Sequence, residues 1–183
     1  MRGYRQVSRQ LGISLVEILV VIAILAIAAG FALPNVGGWN CAREVRNDFD
    51  NLNGLMQTLR VEAMARNRSM MARVERGGNK ALIRAWMSRK SSPGSPNCGG
   101  SNWDYLGAGQ VIQIKDVQFK RASLTNHGRD HCFHPDGTAS SARYTVTAQC
   151  AGKNTSYKTQ IFGITGFLER TKYNTKTRRW DEL

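Results

Sequence analysis

The feature that most constrains this chain is an uninterrupted apolar run between Ile13 and Leu33. At a rise of about 1.5 Å per residue, a helix over these 21 residues would be about 31 Å long, enough to cross the hydrocarbon core of a bilayer. Three arginines and no acid precede the run, which predicts a cytoplasmic N-terminus and a body on the far side of the membrane. The run is longer than the apolar region of a cleaved secretory signal, and no small-x-small cleavage site precedes Pro34.

The chain as a whole is basic and polar, although it contains this apolar run. Its 183 residues include 26 Lys and Arg against 13 Asp and Glu, so the net charge is +13, and the mean hydropathy is -0.38. This length fits one globular domain with an attachment segment and is too short for a barrel enzyme or a two-domain dehydrogenase. Because 42% of the residues are hydrophobic, the chain is not disordered. We therefore expect a short apolar stem joined to a polar, basic body.

Glu17 is the one charged residue inside the apolar run. A carboxylate in hydrocarbon costs on the order of 3 kcal/mol, so this side chain needs a partner. If the chain were cut after Gly12, the new α-ammonium group of Ile13 on a neighbouring copy would supply that partner. A buried charge that only a neighbour can pair fixes the register of an assembly.

Residues Gly12-Ile-Ser-Leu-Val-Glu17, with a basic leader before them and the apolar run and Pro34 after them, resemble the class III signal of the type IV pilin and pseudopilin family. The family most often has Phe in place of Ile13 and Thr in place of Ser14. The resemblance implies that a prepilin peptidase cleaves after Gly12 and methylates Ile13, and that Glu17 acts in assembly. Removal of residues 1–12 would lower the net charge from +13 to +10.

The segment after the apolar run continues as an amphipathic helix. Its apolar residues recur at steps of three and four, which predicts one helical stripe against a sheet, with charged residues on the opposite side. Pro34, followed by Gly37 and Gly38, marks either the end of the helix or a kink within it, and the stripe favours the kink. The stripe consists of Val45, Phe49, Leu52, Met56, Leu59 and Ala63, and the charged side of Arg43, Asp48, Asp50, Arg60 and Arg66.

Short apolar segments separated by turn residues follow, which predicts antiparallel strands. The fold class is therefore α+β, with the helix packed on a sheet. The predicted segments are a leader at 1–12, a transmembrane and assembly helix at 13–35, its amphipathic half at 36–69 and a β-rich periplasmic body at 70–183. The predicted strands are Met70 to Glu75, Ala81 to Met87, Val111 to Phe119, His131 to His134, Ala142 to Gln149 and Lys158 to Ile164.

The body resembles the GspH/FimT branch of the pilin family. In that branch a late segment carries a Phe-x-Pro-Asp-Gly pattern, and Cys132 to Ser140 is similar here. The branch often ends with a strand and a Gly followed by a basic residue. Gln160 to Arg170 occupies that place, but Phe167 directly follows Gly166, which removes the basis for an Arg-based role at that turn. The resemblance implies the type IV pilin fold.

Four cysteines follow the apolar run, and in an oxidising periplasm we expect them to form two disulfides. Cys132 and Cys150 flank a turn-linked pair of strands, which favours a bond between them. Cys41 would then pair with Cys98 and tie the longest loop to the helix. Four cysteines allow three pairings, and spacing does not exclude the other two.

No constellation of residues predicts an enzyme or a cofactor. The sequence contains no nucleophile elbow and no Ser-His-Asp order. His127, His131, Cys132 and His134 lie within eight residues of one another, but the spacing matches no established zinc site, and a disulfide would remove Cys132 as a ligand. We therefore predict no metal.

The basic C-terminal segment interleaves cations with aromatic residues, a composition that suits phosphates and exposed bases. DNA binding is one interpretation, and a solvated surface or an interface with acidic filament neighbours is the other. The candidate residues are Lys172, Lys176, Arg178, Arg179 and Trp180.

The resemblance implies a minor pilin of the FimT or FimU type that helps to initiate or cap a type IV pilus, in support of twitching motility, adhesion or natural transformation. The alternatives are a GspH-like minor pseudopilin of a type II secretion system and a DNA receptor for uptake. The implied partners are other pilins, the inner-membrane assembly platform, the prepilin peptidase and, for the receptor, DNA. The implied location is first the inner membrane, then an extracellular pilus or a periplasmic pseudopilus.

Overall fold

The computed structural model describes residues 14–77, 80–89, 98, 102–107, 113–126 and 130–183, without the side chains of residues 31–36, 76, 77, 80 and 126. The chain divides into two units, Met1–Gly37 and Gly38–Leu183. Secondary structure begins with one long helix, α1 (Leu15–Arg66), whose residues belong to both units. The fold is α+β, as predicted, and is compatible with a pilin fold.

In the first unit, α1 begins where the carbonyl of Ser14 accepts hydrogen bonds from the N–H groups of Glu17 and Ile18. The large apolar side chains between Leu15 and Ile27 are exposed along this part of the helix. In the described part of the chain, no helical stretch combines the length and the apolarity needed to cross a membrane. The backbone stays helical through Pro34, so the interpretation that the helix ends there is wrong.

In the second unit, the predicted stripe of α1 forms the centre of the core. All six of its residues, from Val45 to Ala63, are fully buried. The helix ends three residues earlier than predicted, at Arg66, because Asn67 adopts a left-handed conformation with φ of 52°. The N–H of Arg68 then donates to the carbonyl of Ala63 at 3.2 Å, the closing bond of a Schellman motif.

Within the described ranges, ten strands form two antiparallel sheets against this helix. In the first sheet the order is β3-β2-β1-β6, and β4 also pairs with β2; in the second the order is β10-β9-β8-β7-β5. The strands are β1 (Met70–Gly77), β2 (Lys80–Ser88), β3 (Trp103–Tyr105), β4 (Val117–Gln118), β5 (Ser123–Asn126), β6 (Asp130–Phe133), β7 (Ala142–Cys150), β8 (Lys153–Ile161), β9 (Leu168–Asn174) and β10 (Arg179–Glu182).

Alternate residues of both sheets face the helix stripe and complete the core. The Phe49 ring stacks on Tyr157 of β8 at a centroid distance of 5.0 Å. Close by, the Thr159 hydroxyl donates to Oδ1 of Asn53 at 2.7 Å, which satisfies two buried polar groups. The other inward side chains include Met70, Ala72, Ile83, Ala85, Phe133, Tyr144, Val146 and Ile161. Burial of each large apolar side chain stabilises the fold by about 1.5–3 kcal/mol.

Most predicted strands are present, but three differences matter. The strand predicted from Val111 to Phe119 is reduced to β4 in the described residues, because the N–H of Ile114 bonds instead to the carbonyl of Leu106. β8 begins at Lys153, earlier than predicted, since Ala151 and Gly152 form a tight turn with positive φ angles. The remaining difference is that β3, β5, β9 and β10 were not predicted at all.

Asp48 lies in the core side of α1 and not on the solvent side where the charge pattern placed it. Its side chain is 3% exposed. Oδ2 accepts hydrogen bonds from three successive backbone N–H groups, those of Lys120, Arg121 and Ala122, at 3.1, 3.3 and 3.3 Å. The carboxylate therefore fixes the segment between β4 and β5 to the helix.

Candidate assembly segment and basic surface

The predicted processing site lies at the edge of what the structure describes. Gly12 and Ile13 are outside the described residues, as is the side chain of Pro34. Glu17 lies in the first turn of α1, where an acidic group interacts favourably with the helix dipole, and its side chain is exposed. In the single chain Glu17 is thus presented on the surface of the otherwise apolar first part of α1.

The four cysteines form two disulfides, but the predicted pairing is wrong. Cys41 is bonded to Cys150, and Cys98 is bonded to Cys132. The prediction treated β6 and β7 as one hairpin because they are consecutive in the chain. In the structure β6 belongs to the first sheet and β7 to the second, so Cys132 and Cys150 lie on different sheets.

Two of the clustered histidines are buried and hydrogen-bonded to serine hydroxyls. Nδ1 of His131 lies 3.0 Å from Oγ of Ser140, and Nδ1 of His134 lies 3.1 Å from Oγ of Ser69. Burial, with a smaller contribution from the nearby His134, lowers the pKa of His131 to about 3. Within the described residues no three potential ligands lie close enough to hold a metal ion, and His127 is outside them.

The basic C-terminal segment forms a hairpin of β9 and β10, which separates the five candidate DNA-binding residues. Lys172 lies opposite Tyr157, on the side of the sheet that faces the helix, and its Nζ is 5.8 Å from the tyrosine ring centroid. By alternation Arg179, paired with Asn174, is on that same side. Lys176 and Arg178 lie in the turn between the strands.

Trp180 lies on the opposite, outer face of the hairpin, together with two residues that the sequence analysis missed. Trp180 pairs with Tyr173 across the strands, and their rings meet edge to face at 5.3 Å. The Nζ of Lys158, from β8, lies over the Trp180 ring at 4.8 Å from the centroid. The missing signal was the β9–β10 hairpin. In an antiparallel hairpin, directly paired residues lie on the same face, so its register would have placed Tyr173 beside Trp180.

The second sheet carries cations that acidic groups do not neutralise. Residues 142–183 contain eight Lys and Arg and three Asp and Glu, a net charge of +5. The seven ion pairs among the described residues all lie on α1, the first sheet and their connections. The outer face with Lys158, Tyr173 and Trp180, together with the adjacent turn, is therefore a basic surface with one exposed aromatic ring, that of Trp180, beside the half-buried Tyr173.

Residues 7–33 match the prokaryotic N-terminal methylation motif. This segment includes Gly12, Ile13 and Glu17 together with the apolar run, and it excludes the body. The match indicates a type IV pilin-like prepilin, a membrane-anchored class whose members are generally structural and not enzymatic. No curated protein and no solved structure matches the chain.

Proposed function

We propose that this protein is a minor type IV pilin of the FimT or FimU type, which helps to initiate or cap a pilus. One observation carries the proposal: the methylation motif at residues 7–33 leads into a helix whose second half packs on antiparallel sheets. In this proposal a prepilin peptidase cleaves after Gly12 and methylates Ile13. The subunit then waits in the inner membrane, with its N-terminus in the cytoplasm and its body in the periplasm, until the assembly platform adds it to the filament.

Assembly would replace lipid by protein around the stem. The large apolar side chains of residues 15–27 are exposed in the single chain, so a filament must cover them with other stems. Glu17 would then pair with the methylated ammonium group of a neighbouring subunit. A pair of charges that is complete only between subunits favours the correct axial register.

The substitution Glu17→Ala tests this assembly role. We expect the variant to be processed normally, because the cleavage site precedes it, and to reach the filament about tenfold less well than the unaltered chain. The filament and membrane fractions of the natural host would be compared by immunoblot. The matched control is Ser14→Ala, which alters the same turn of the helix without changing its charge. Normal incorporation of the Glu17 variant would falsify the pairing.

Gene deletion separates the pilus from the secretion interpretation. A minor pilin predicts a loss of piliation and twitching, whereas a GspH-like pseudopilin predicts a loss of protein secretion with pili intact. Both activities would be scored in the same deletion strain, and complementation by the intact gene is the control.

We infer DNA binding as a second candidate function, favoured by the basic surface of the second sheet. Uncompensated cations bind phosphates without regard to sequence, and exposed aromatic rings stack on unpaired bases. Lys158, Lys176 and Arg178 would contact phosphates, and Trp180 and Tyr173 would contact bases. This assignment moves the candidate site from the tail alone to the outer face of β8, β9 and β10.

A gel shift with the full-length chain in detergent tests this function on duplex and single-stranded DNA at 50 and 200 mM salt. We expect the combined change of Lys158→Ala and Lys176→Ala to weaken binding about tenfold or more and to reduce its salt dependence. The control combines Arg89→Ala with Arg121→Ala, which removes the same charge from residues that are ion-paired here. Absence of a complex at low salt rejects DNA binding and leaves the pilin proposal unaffected.

A further inference from the structure

The second unit exposes a tryptophan with a cation beside it at the point where its part of α1 begins. Trp39 is 62% exposed. The guanidinium carbon of Arg43, one turn further along α1, lies 5.5 Å from the centroid of the Trp39 ring. Arg43 is itself exposed and forms no ion pair with any residue that the structure describes. A large aromatic ring and a cation are therefore presented together to a partner outside the chain.

The turn between β7 and β8 lies at the same end of the body. A Cβ added at Gly38 would lie 2.9 Å from the Cβ of Ala151 in this turn. The Cys41–Cys150 disulfide joins the helix to the last residue of β7. Across the hairpin, Lys153 is paired with Cys150, and its side chain is exposed. Lys153 is thus fixed at the end of the body where Trp39 lies.

The turn between β9 and β10 also lies at this end. β8 starts beside the first residues of the body and runs along α1 in the direction of the helix, since the Phe49–Tyr157 contact lies further along both elements. β9 is antiparallel to β8, so its last residues return to the end at which β8 starts. The turn that follows β9 carries Lys176 and Arg178, both exposed.

Positive charge is in excess at this end of the body. Of the acids nearest in the chain, Glu44 is ion-paired with Arg121 at 3.2 Å, and Asp181 accepts a hydrogen bond from Asn174 at 2.8 Å. The four cations form no ion pair with a described residue, so an anionic partner is favoured. We refer to the following residues together as the junction end: Trp39, Arg43, Lys153, Lys176 and Arg178.

The position of the junction end in the sequence restricts the partner further. The segment that matches the methylation motif of a membrane-anchored class ends at residue 33, before Trp39. The six residues from there to Trp39 span at most about 22 Å even when fully extended. With the stem in the bilayer, Trp39 is therefore held near the periplasmic headgroups in every orientation of the body. A nucleic acid has no such tether to this end.

We propose that the junction end binds the phosphate groups of anionic lipids at the periplasmic surface of the membrane. This inference rests on the membrane-anchored stage of the proposed function. Trp39 lies at the level of the headgroups, where tryptophan side chains are enriched. The cations contact lipid phosphates, and each strengthens binding to an anionic surface about fivefold. The contact holds the body in one orientation on the membrane until the assembly platform takes up the subunit.

Fluorine NMR of the full-length chain in lipid nanodiscs tests the proposal. Growth with 5-fluorotryptophan labels the four tryptophans, and Trp39→Phe assigns the signal of Trp39. A nitroxide on the lipid headgroups broadens the signal of any ring that lies close to them. We expect stronger broadening of Trp39 in discs with about 30% phosphatidylglycerol than in discs of phosphatidylcholine alone. Because the attraction is electrostatic, about 0.5 M NaCl should abolish the difference.

Trp103 is the internal control, because it lies at the opposite end of the body. It pairs with Ser88, whose N–H donates to the carbonyl of Ser69, just beyond the last residue of α1. The signal of Trp103 should be the same in both kinds of disc.

Two double variants test the cations that the candidate DNA-binding surface does not share. Arg43→Gln with Lys153→Gln should lower the ratio of lipid-bound to free body about tenfold or more. The matched control combines Arg68→Gln with Lys115→Gln, which removes the same charge from cations that also lack an ion pair among the described residues. The control should behave as the unaltered chain does, and unchanged melting temperatures check the folding of both variants.

The outcomes separate this inference from the proposed function. A chain that inserts into the discs but shows equal Trp39 broadening with and without phosphatidylglycerol overturns the inference and leaves the pilin function standing. A chain that does not insert overturns the membrane-anchored stage as well. Equal losses in the two double variants would also contradict a specific role of the junction end. Duplex DNA that alters the Trp39 signal more than phosphatidylglycerol does would assign this end to nucleic acid instead.

Discussion

Asp48 is a charged residue that is buried although the charge pattern of the helix predicts that it is exposed. It follows Asn47 on what reads as the polar side of the helix, yet it is buried and accepts three backbone hydrogen bonds. These N–H groups belong to the segment between β4 and β5, where they do not bond to a neighbouring strand. A carboxylate can accept several hydrogen bonds at once, so one residue satisfies the whole segment.

Removal of this carboxylate should destabilise the body. We expect Asp48→Ala to lower the free energy of unfolding by about 1–3 kcal/mol, because it leaves partly buried donors without an acceptor. Chemical denaturation of the full-length chain in detergent would measure the change. Asp50→Ala is the control, since Asp50 is exposed and its ion pair with Arg46 is worth at most about 0.5 kcal/mol. Equal effects of the two changes would contradict this role for Asp48.

His131 gives the body a pH-dependent stability. Because burial lowers its pKa to about 3, the folded chain keeps His131 neutral, while the unfolded chain binds a proton near the ordinary value of 6.5. The unfolded state therefore takes up more protons between pH 6.5 and 3. Stability should fall as the pH decreases through this window, by up to about 1.4 kcal/mol per pH unit.

The substitution His131→Phe should reduce that slope. Thermal unfolding of both chains between pH 4 and 6.5 measures it. Above pH 7 the histidine is neutral in both states, so the two chains should differ there by a constant amount. Parallel curves down to pH 4 would show that His131 does not contribute to the acid sensitivity.

At the scale of elements, periodicity predicted the amphipathic part of α1 and its buried face correctly. The stripe repeats over five turns, and each of its positions is fully buried. The sheet was harder to predict, because strand partners are set by contacts between distant segments. The β9–β10 hairpin shows the difficulty: its residues are mostly polar, and no strong alternation marks them as strands.

Mapping of the disulfide-linked peptides tests the arrangement of the two sheets. Digestion without reduction should release linked peptides that contain Cys41 with Cys150 and Cys98 with Cys132. A peptide joining Cys132 to Cys150 would contradict the placement of β6 and β7 in separate sheets. By the chain-entropy argument, loss of the Cys41–Cys150 bond, which closes the longer loop of the two, should cost about 5 kcal/mol, and loss of the other about 4 kcal/mol.

At the scale of the whole molecule, charge is distributed unevenly. Arg46 and Arg66 of α1 and Arg73 and Arg84 of the first sheet are paired with acids, whereas residues 142–183 keep a net charge of +5. Beyond the leader, net positive charge is therefore densest in residues 142–183, where it can act on a polyanion or an acidic neighbour. Of the other eight net charges, three lie in residues 1–12, which the proposed processing would remove, and five lie in residues 13–141.

Processing predicts a defined mass for the mature protein. The chain isolated from a host that contains a prepilin peptidase should begin at Ile13, carry one N-methyl group and retain 171 residues. Intact-mass spectrometry measures this directly. Replacement of Gly12 by a bulky residue should leave residues 1–12 attached, and a full-length mass for the unaltered chain would reject cleavage at this site.

The sequence by itself determined the stem, the likeness of residues 9–35 to a pilin signal, the helix stripe and the α+β class. These features are local: they depend on composition, on a contiguous motif and on a period of 3.6 residues, all of which are visible along the chain. The tertiary structure decided the cysteine partners, the burial of Asp48 and the outer face of Lys158, Tyr173 and Trp180. Each of these depends on which strands share a sheet, and that is set by packing between segments that are far apart in the sequence.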